Sequence, residues 1–480
     1  MNLRSRLAGF LLLAEMLVLS VSCRQDSLYF PPGDGPLRFS ADTLHFDTLF
    51  ANVGSTTAWA CVYNASDKDL LFDSVGLSPA SGSAFRFSLD GLGGNTLYQV
   101  TLPARDSLFL FVELTPPWQD SPLPVRLEES ICFWQAGESS RLVLDAWVQN
   151  AVRLQGKLFD ADTCLSADLP YLVYDSLVVG PGATLRLEPG VRLHFHQDGV
   201  MYVYGTVLAE GTAEAPIVLR GDRLDRQFED FPYEYYPGQW MAVYLGPDSY
   251  GNVFSHVRIR GGYYGILADS SACPDRRKLT MTDSEIFNMV YSGLYSIASD
   301  VHLANTVLAN SGSYTYVMLG GSAHLEHCTI ANYQVLTTRG ENEPAVALVN
   351  CVKSGKSYLE YPLTDVRFDN CIIYGSREDE IGFGLLDGTP AEIHLNHCLV
   401  RSSENLPSAM DGEVLYNQDP AFRCLGERYE YDFHLDSLSA AIARGDTAVS
   451  ARWPLDADGV DRLSDGASDL GAFEFILTEN

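Results

Sequence analysis

A chain of 480 residues exceeds one typical domain and points to two or three. Its 62 acidic against 32 basic side chains leave a formal net charge of −30. That field repels nucleic acid, anionic lipid surfaces and polyanionic glycans unless a metal or a local basic cluster intervenes, so nucleic-acid partners are excluded.

Residues 1–22 carry Arg4 and Arg6 ahead of a largely apolar run from Leu7 to Val21. The run is too short for a comfortable membrane span and reads as a signal peptide. It ends Leu19-Ser20-Val21-Ser22-Cys23, which resembles a bacterial lipobox, with Ser20 where that motif usually has Leu. The resemblance implies that Cys23 is acylated and becomes the new N-terminus, a lipid anchor followed by a tether over 23–36. Arg24, rather than Asp, follows the cysteine, so the expected location is the outer membrane, on its periplasmic or exposed side. No other segment approaches the length of a spanning helix. The cysteines beyond Cys23 are odd in number and contain no CxxC pair, so most read as buried thiols. Cys61 and Cys132 are the pair whose strands a disulfide could join.

From Leu37 to Asn150 short runs alternate apolar and polar residues: LRFSADTLHFDTLF, TAWACVYNAS, AFRFSLDG, DSLFLFVELTP, RLVLDAWVQNAV. Turn residues separate them at the spacing of an antiparallel β-sandwich. The phrases NVGSTTAWACVYNASDKDL and PARDSLFLFVELTP resemble immunoglobulin-like modules of bacterial surface proteins. No chemistry is visible there, and a spacer is the expected role.

Over 151–410 the texture changes to short β runs broken by glycine, as in GPGATLRLEPGVRLHFHQDGVMYVYGTVLAEGT. Six segments align on their third residue: FSHVRI, MTDSEI, LANTVL, LEHCTI, FDNCII and LNHCLV. The aligned corners are His256, Asp283, Asn305, His327, Asn370 and His397, spaced 27, 22, 22, 43 and 27 residues apart. That is the period of stacked coils about 4.8 Å apart. The 43-residue gap holds only one further β run, AVALV, so it reads as one coil with insertions near 334–344 and 352–362. The chain is similar to right-handed parallel β-helix repeat lipoproteins that carry an N-terminal immunoglobulin-like module. The expected fold is all-β: a sandwich, a right-handed parallel β-helix, and a C-terminal cap over 411–480. In that tail, Asp469, Gly471, Ala472 and Glu474 resemble the usual finish of bacterial β-helix proteins, while Ser439-Ala440-Ala441-Ile442 lacks the usual proline. The cap is expected to cover the open end of the coil.

Strand alternation assigns faces. Two before each corner stand Phe254, Met281, Leu303, Leu325, Phe368 and Leu395, an inward apolar stack. One after stand Ser284, Thr306, Cys328, Cys371 and Cys398, a small packing ladder. Outward columns then place His302, His324, Arg367 and His394 beside Glu326, Asp369 and Asn396 on one sheet. The two insertions, bearing Arg339, Lys353, Lys356 and Tyr358, are expected to wall this face. A lyase would need a base and a cation, for which His324 and Arg367 are the right types. A hydrolase would need two carboxylates, for which Glu326 and Asp369 qualify. An ordinary solvated face would look the same.

Tyr235, Tyr236 and Trp240, in the aromatic run FEDFPYEYYPGQW, are candidate stacking surfaces for sugar rings, against the plainer role of covering the helix flank. His194 and His196 form a possible metal pair without a third ligand. DADG at 456–459 is similar to the start of a calcium loop, but Ala467 stands where the bidentate acid belongs. Calcium therefore lacks support and no metal site is expected. The expected function is a non-catalytic surface lipoprotein binding glycan or a protein partner. The alternative is a polysaccharide lyase or glycoside hydrolase acting near His324 and Arg367.

Overall fold

The computed structural model describes residues 36–476 apart from 229–230, 404–405, 407–408, 411, 427–428 and 465. The signal stretch, Cys23 and all of the tether but Pro36 lie outside the described residues. The chain separates into two compact units at Gln149, with 120–123 belonging to the second. No helix among the described residues is long and apolar enough to cross a membrane.

The first unit is two five-stranded sheets. The long first run divides, Leu37–Phe39 joining one sheet and Thr43–Phe50 the other. Pairing is antiparallel except where Thr43–Phe50 runs parallel to Glu138–Gln149. The inward alternates, Leu44, Phe46, Ala60, Val62, Phe72, Leu110, Val112, Phe133 and Leu144 among them, form the core. Cys61 and Cys132 are buried free thiols, and no bridge joins them.

In the second unit 26 strands among the described residues stack into parallel ladders, the architecture of a parallel β-helix. The proposed register is the observed one. Phe254 pairs with Met281, Met281 with Leu303, Leu303 with Leu325, Leu325 with Phe368, and Phe368 with Leu395. All six side chains are fully buried in one core. The small-residue ladder beside them is buried too, and the Sγ atoms of Cys328, Cys371 and Cys398 donate to carbonyls of Glu326, Leu325 and Phe368.

The corner column has a backbone cause. His256, Asp283, Asn305, His327, Asn370 and His397 all adopt φ between 47° and 55°. L-residues avoid that left-handed region, and Asn, Asp and His enter it at least cost. Each coil thus bends sharply at the same place, keeping three faces in line. The first face ends at this corner: Arg277–Thr282, the second halves of Ser292–Ala304 and Tyr314–Glu326, Leu363–Asp369 and Ala391–Asn396. The second starts just past it, with Val307–Ser311, Thr329–Asn332 and Ile372–Gly375.

The C-terminal segment packs along a flank of the coils. Its Phe422, Phe433, Leu435, Ala441, Leu470 and Ala472 bury against Phe287, Val307, Ala309, Ala331, Ile372 and Leu399, outward residues of five coils on the second face. The corner column is its dock. Asn370 Oδ1 accepts from the Asp446 amide at 2.7 Å, Asn305 Nδ2 donates to the Leu455 carbonyl at 2.9 Å, and His327 Nε2 meets Ser450 Oγ at 3.0 Å. The second face carries a second apolar stripe outward, and burying it drives this docking.

Candidate functional site

Leu325 and His327 point into the coil and the corner, which leaves Glu326 outward on the first face. The outward residues there do converge. Among them, Arg277, His302, His324, Glu326, Arg367, Asp369 and Asn396 line a cavity of about 410 Å³, with Asp446, Val449 and Arg452 as its far wall. His302 pairs in register with His324, His324 with Arg367, and Glu326 with Asp369. His394 stands next to Arg367 on the ladder but outside the cavity lining.

Glu326 is not the free carboxylate that alternation implies. It is buried beneath the C-terminal segment. Arg452 donates to Oε1 from Nε at 2.9 Å and Nη2 at 2.5 Å, while Trp453 Nε1 donates to Oε2 at 2.8 Å. His302 Nε2 lies 2.8 Å from the same Oε2. Burial works against the charge, but the bonds from His302, Trp453 and Arg452 win and hold the carboxyl down at about 2. Held ionised and already bonded to three side chains, Glu326 is a poor general acid.

Asp369 moves the other way. Burial pushes it up, the Asn396 hydrogen bond opposes this, and the charge of Glu326 raises it further. Asn396 Nδ2 donates to Asp369 Oδ1 at 3.0 Å, so Asn396 is spent partly on the protein itself.

Asp365 is the residue that sequence reasoning missed. It accepts from His324 Nε2 at 2.8 Å and from Arg367 Nε at 2.7 Å, binding the two leading candidates into one unit. Burial opposes its charge and these two bonds prevail, lowering its pKa. The signal was present two places before Arg367, where strand alternation continues the outward column. Arg277 is likewise paired with Asp300, at 2.8 Å. The face is therefore rich in charge, and most of its charged groups are paired with one another.

The insertions do not wall the cavity. Arg339 is buried against Glu380, and its loop lines a different hollow with Glu341, Asn342 and Pro344. The second insertion is an exposed hairpin, Cys351–Ser354 with Ser357–Glu360, and Lys353, Lys356 and Tyr358 are not among the residues lining the cavity. The wall comes from the C-terminal segment because it already docks on the adjoining corner.

The aromatic run divides: Trp240 is withdrawn into the core, while Tyr235 and Tyr236 are half-buried on the flank. Trp240 is fully buried, stacked 4.4 Å from Phe195, with Nε1 donating to the Arg260 carbonyl at 2.8 Å. Tyr235 and Tyr236 pack on Phe231, which sits 4.6 Å from Tyr429. His194 is buried, and burial drives its pKa down to about 3, while His196 Nδ1 pairs with Asp222 at 2.7 Å. Asp456 of DADG accepts the amides of Asp458, Val460 and Glu474, forming a turn clasp. No group of three His, Cys, Asp or Glu side chains among the described residues is placed to hold a metal.

No protein-family model matches this chain, and no curated protein sequence does either. Among solved structures, similarity is found to a protein of unknown function from Porphyromonas gingivalis W83, 17% identical over 27% of this chain and 61% of that one, with a TM-score of 0.17. The second is the catalytic domain of a GH87 alpha-1,3-glucanase in complex with tetrasaccharides, 10% identical over 75% of this chain and 92% of that one, TM-score 0.19. Likeness at those scores has no bearing on activity.

Proposed function

We propose that this chain is an exported, lipid-anchored β-helix protein that binds a glycan in the cavity of the first face and does not cleave it. The observation behind this reading is the state of Glu326. A hydrolase needs two carboxylates facing the substrate, one as acid and the other as base or nucleophile, and Glu326 of this pair is bonded instead to Arg452, Trp453 and His302. What remains is a balanced set of guanidinium, imidazole, carboxylate and amide groups, suited to the hydroxyls of an uncharged sugar.

The test is calorimetric titration of the purified chain with neutral and uronate-containing oligosaccharides. Binding of a neutral oligosaccharide should weaken about tenfold or more, ~1.4 kcal/mol, in Asp369→Ala and in Arg367→Ala. New reducing ends after prolonged incubation would defeat the binding-only reading.

One observation favours a second reading. Asp365 holds His324 by Nε2 beside a half-exposed Arg367, an arrangement in which the imidazole could take a proton next to a bound carboxylate. Unsaturated-uronate absorbance that vanishes in His324→Ala would establish a lyase instead.

A further inference from the structure

The sandwich, expected to be a mere spacer, carries an unexplained feature. Strand Ala58–Asn64 lies beside Ser107–Leu114 in one sheet, with Trp59 opposite Phe111 and Cys61 opposite Phe109. The inward alternates Ala60, Val62, Leu110 and Val112 are fully buried. At outward positions, where a sheet facing water calls for polar residues, stand Trp59, Phe109 and Phe111, exposed by 49, 45 and 42%.

These three are one patch. The ring centroids of Trp59 and Phe109 are 5.8 Å apart, and those of Phe109 and Phe111 are 6.2 Å apart with planes within 19°. The outer surface of the other sheet is built differently. There Asp145 meets His45 at 3.1 Å and Arg126 at 2.7 Å, and Arg126 reaches Glu128 at 3.1 Å. That sheet exposes Trp147 and Tyr98 as well, but beside charged neighbours, whereas Trp59, Phe109 and Phe111 stand against one another as a contiguous apolar patch.

We infer that the Trp59–Phe109–Phe111 face is a binding platform for a neutral polysaccharide, separate from the cavity on the β-helix. Pyranose rings offer a flat C–H surface that stacks on aromatic rings, with hydroxyls projecting at the edge. The fringe of the patch supplies matching groups. Ser88 lies opposite Phe111 on the next strand and Arg86 opposite Glu113. Glu113 accepts from Thr57 Oγ1 at 2.8 Å and from Arg86 at 3.4 Å, so the fringe is polar but internally neutralised. Charge then selects the occupant. A chain of net charge −30 disfavours acidic polymers and anionic bilayers, and the patch offers them no uncompensated cation. An uncharged polymer meets no such penalty.

The experiment is native gel electrophoresis of the full chain through gels containing mixed-linkage β-glucan, xyloglucan, galactomannan or polygalacturonate. At least one neutral polymer should retard the protein and polygalacturonate should not. Trp59→Ala and Phe111→Ala should each weaken the retardation about tenfold or more. Trp147→Ala, an equally exposed ring on the other sheet, should keep it. Melting curves of the variants establish that they fold, which substitution at exposed positions favours. Four results would overturn the inference: no retardation by any neutral polymer, full retardation in both Trp59→Ala and Phe111→Ala, loss in Arg367→Ala alone, or abolition by the same aromatic variants of self-association or of binding to phosphatidylcholine vesicles in place of glycan binding.

Discussion

Glu326 and His434 titrate in opposite directions, and each makes a distinct claim about stability. Glu326 is held down at about 2 from an ordinary 4.5 by its partners on the C-terminal segment. A depressed carboxylate contributes stability that is complete above pH 4.5 and disappears as pH falls toward about 2. Glu326→Gln should therefore lose up to roughly 2–3 kcal/mol relative to wild type at pH 6. The gap should close on acidification, as read by urea denaturation across that range. His434 lies 2.5 Å from Asp432 and 2.8 Å from Asp458, stacked on Phe473 at 3.8 Å. Burial opposes its charge, yet the two carboxylates raise it to about 9. A raised imidazole gives stability that is complete below pH 6.5 and lost as pH climbs through about 9. His434→Gln should be most costly near pH 6 and nearly silent at pH 10. A constant difference across that span would dismiss the ion pairs as the cause.

Elements divide into those that local sequence determines and those that it does not. The coil register was legible because each strand repeats one alternation and each corner demands Asn, Asp or His at positive φ, so Leu303, Leu325 and Leu395 could be stacked from spacing alone. His302, His324, Arg367 and Asp369 followed, since faces come with the register. The C-terminal segment was not legible, because its contacts are side-chain bonds spanning 76 to 157 residues, with no period to betray them. That is why Glu326 reads as free, why the loops bearing Arg339 and Lys353 look like the wall, and why the segment is expected at the coil's end. Arg462 is the bolt of this contact. It is fully buried, with Nη1 2.6 Å from Glu474 and Nη2 2.9 Å from Asn305 Oδ1. Removing one member of such a pair leaves the other buried and unpaired, at about 3–5 kcal/mol. Arg462→Met should loosen 446–474 from the corner column while the coils, which stack only on neighbours, persist. Limited proteolysis should cut within that segment while far-ultraviolet circular dichroism keeps its β signature. Joint collapse of both would show that the flank cover is needed to fold the coils.

At the scale of the whole molecule, charge and anchorage become one question. A net charge of −30 pushes the protein from any anionic leaflet, and no described helix is long and apolar enough to insert. On the proposed lipid-anchored reading, attachment depends on acyl chains at Cys23, each buried methylene contributing ~0.8 kcal/mol. This makes the anchor an all-or-none device. Cys23→Ser should abolish incorporation of labelled palmitate and move the protein wholly to the soluble fraction on ultracentrifugation, at low and high salt alike. Its melting curve should match that of the acylated form, because the described core lies entirely beyond the tether. Membrane association that survives the substitution and is stripped by salt would mean that a local surface overcomes the global field. Residual association indifferent to salt would instead point to apolar contact, for which the exposed rings of Trp59, Phe109 and Phe111 are the first place to look.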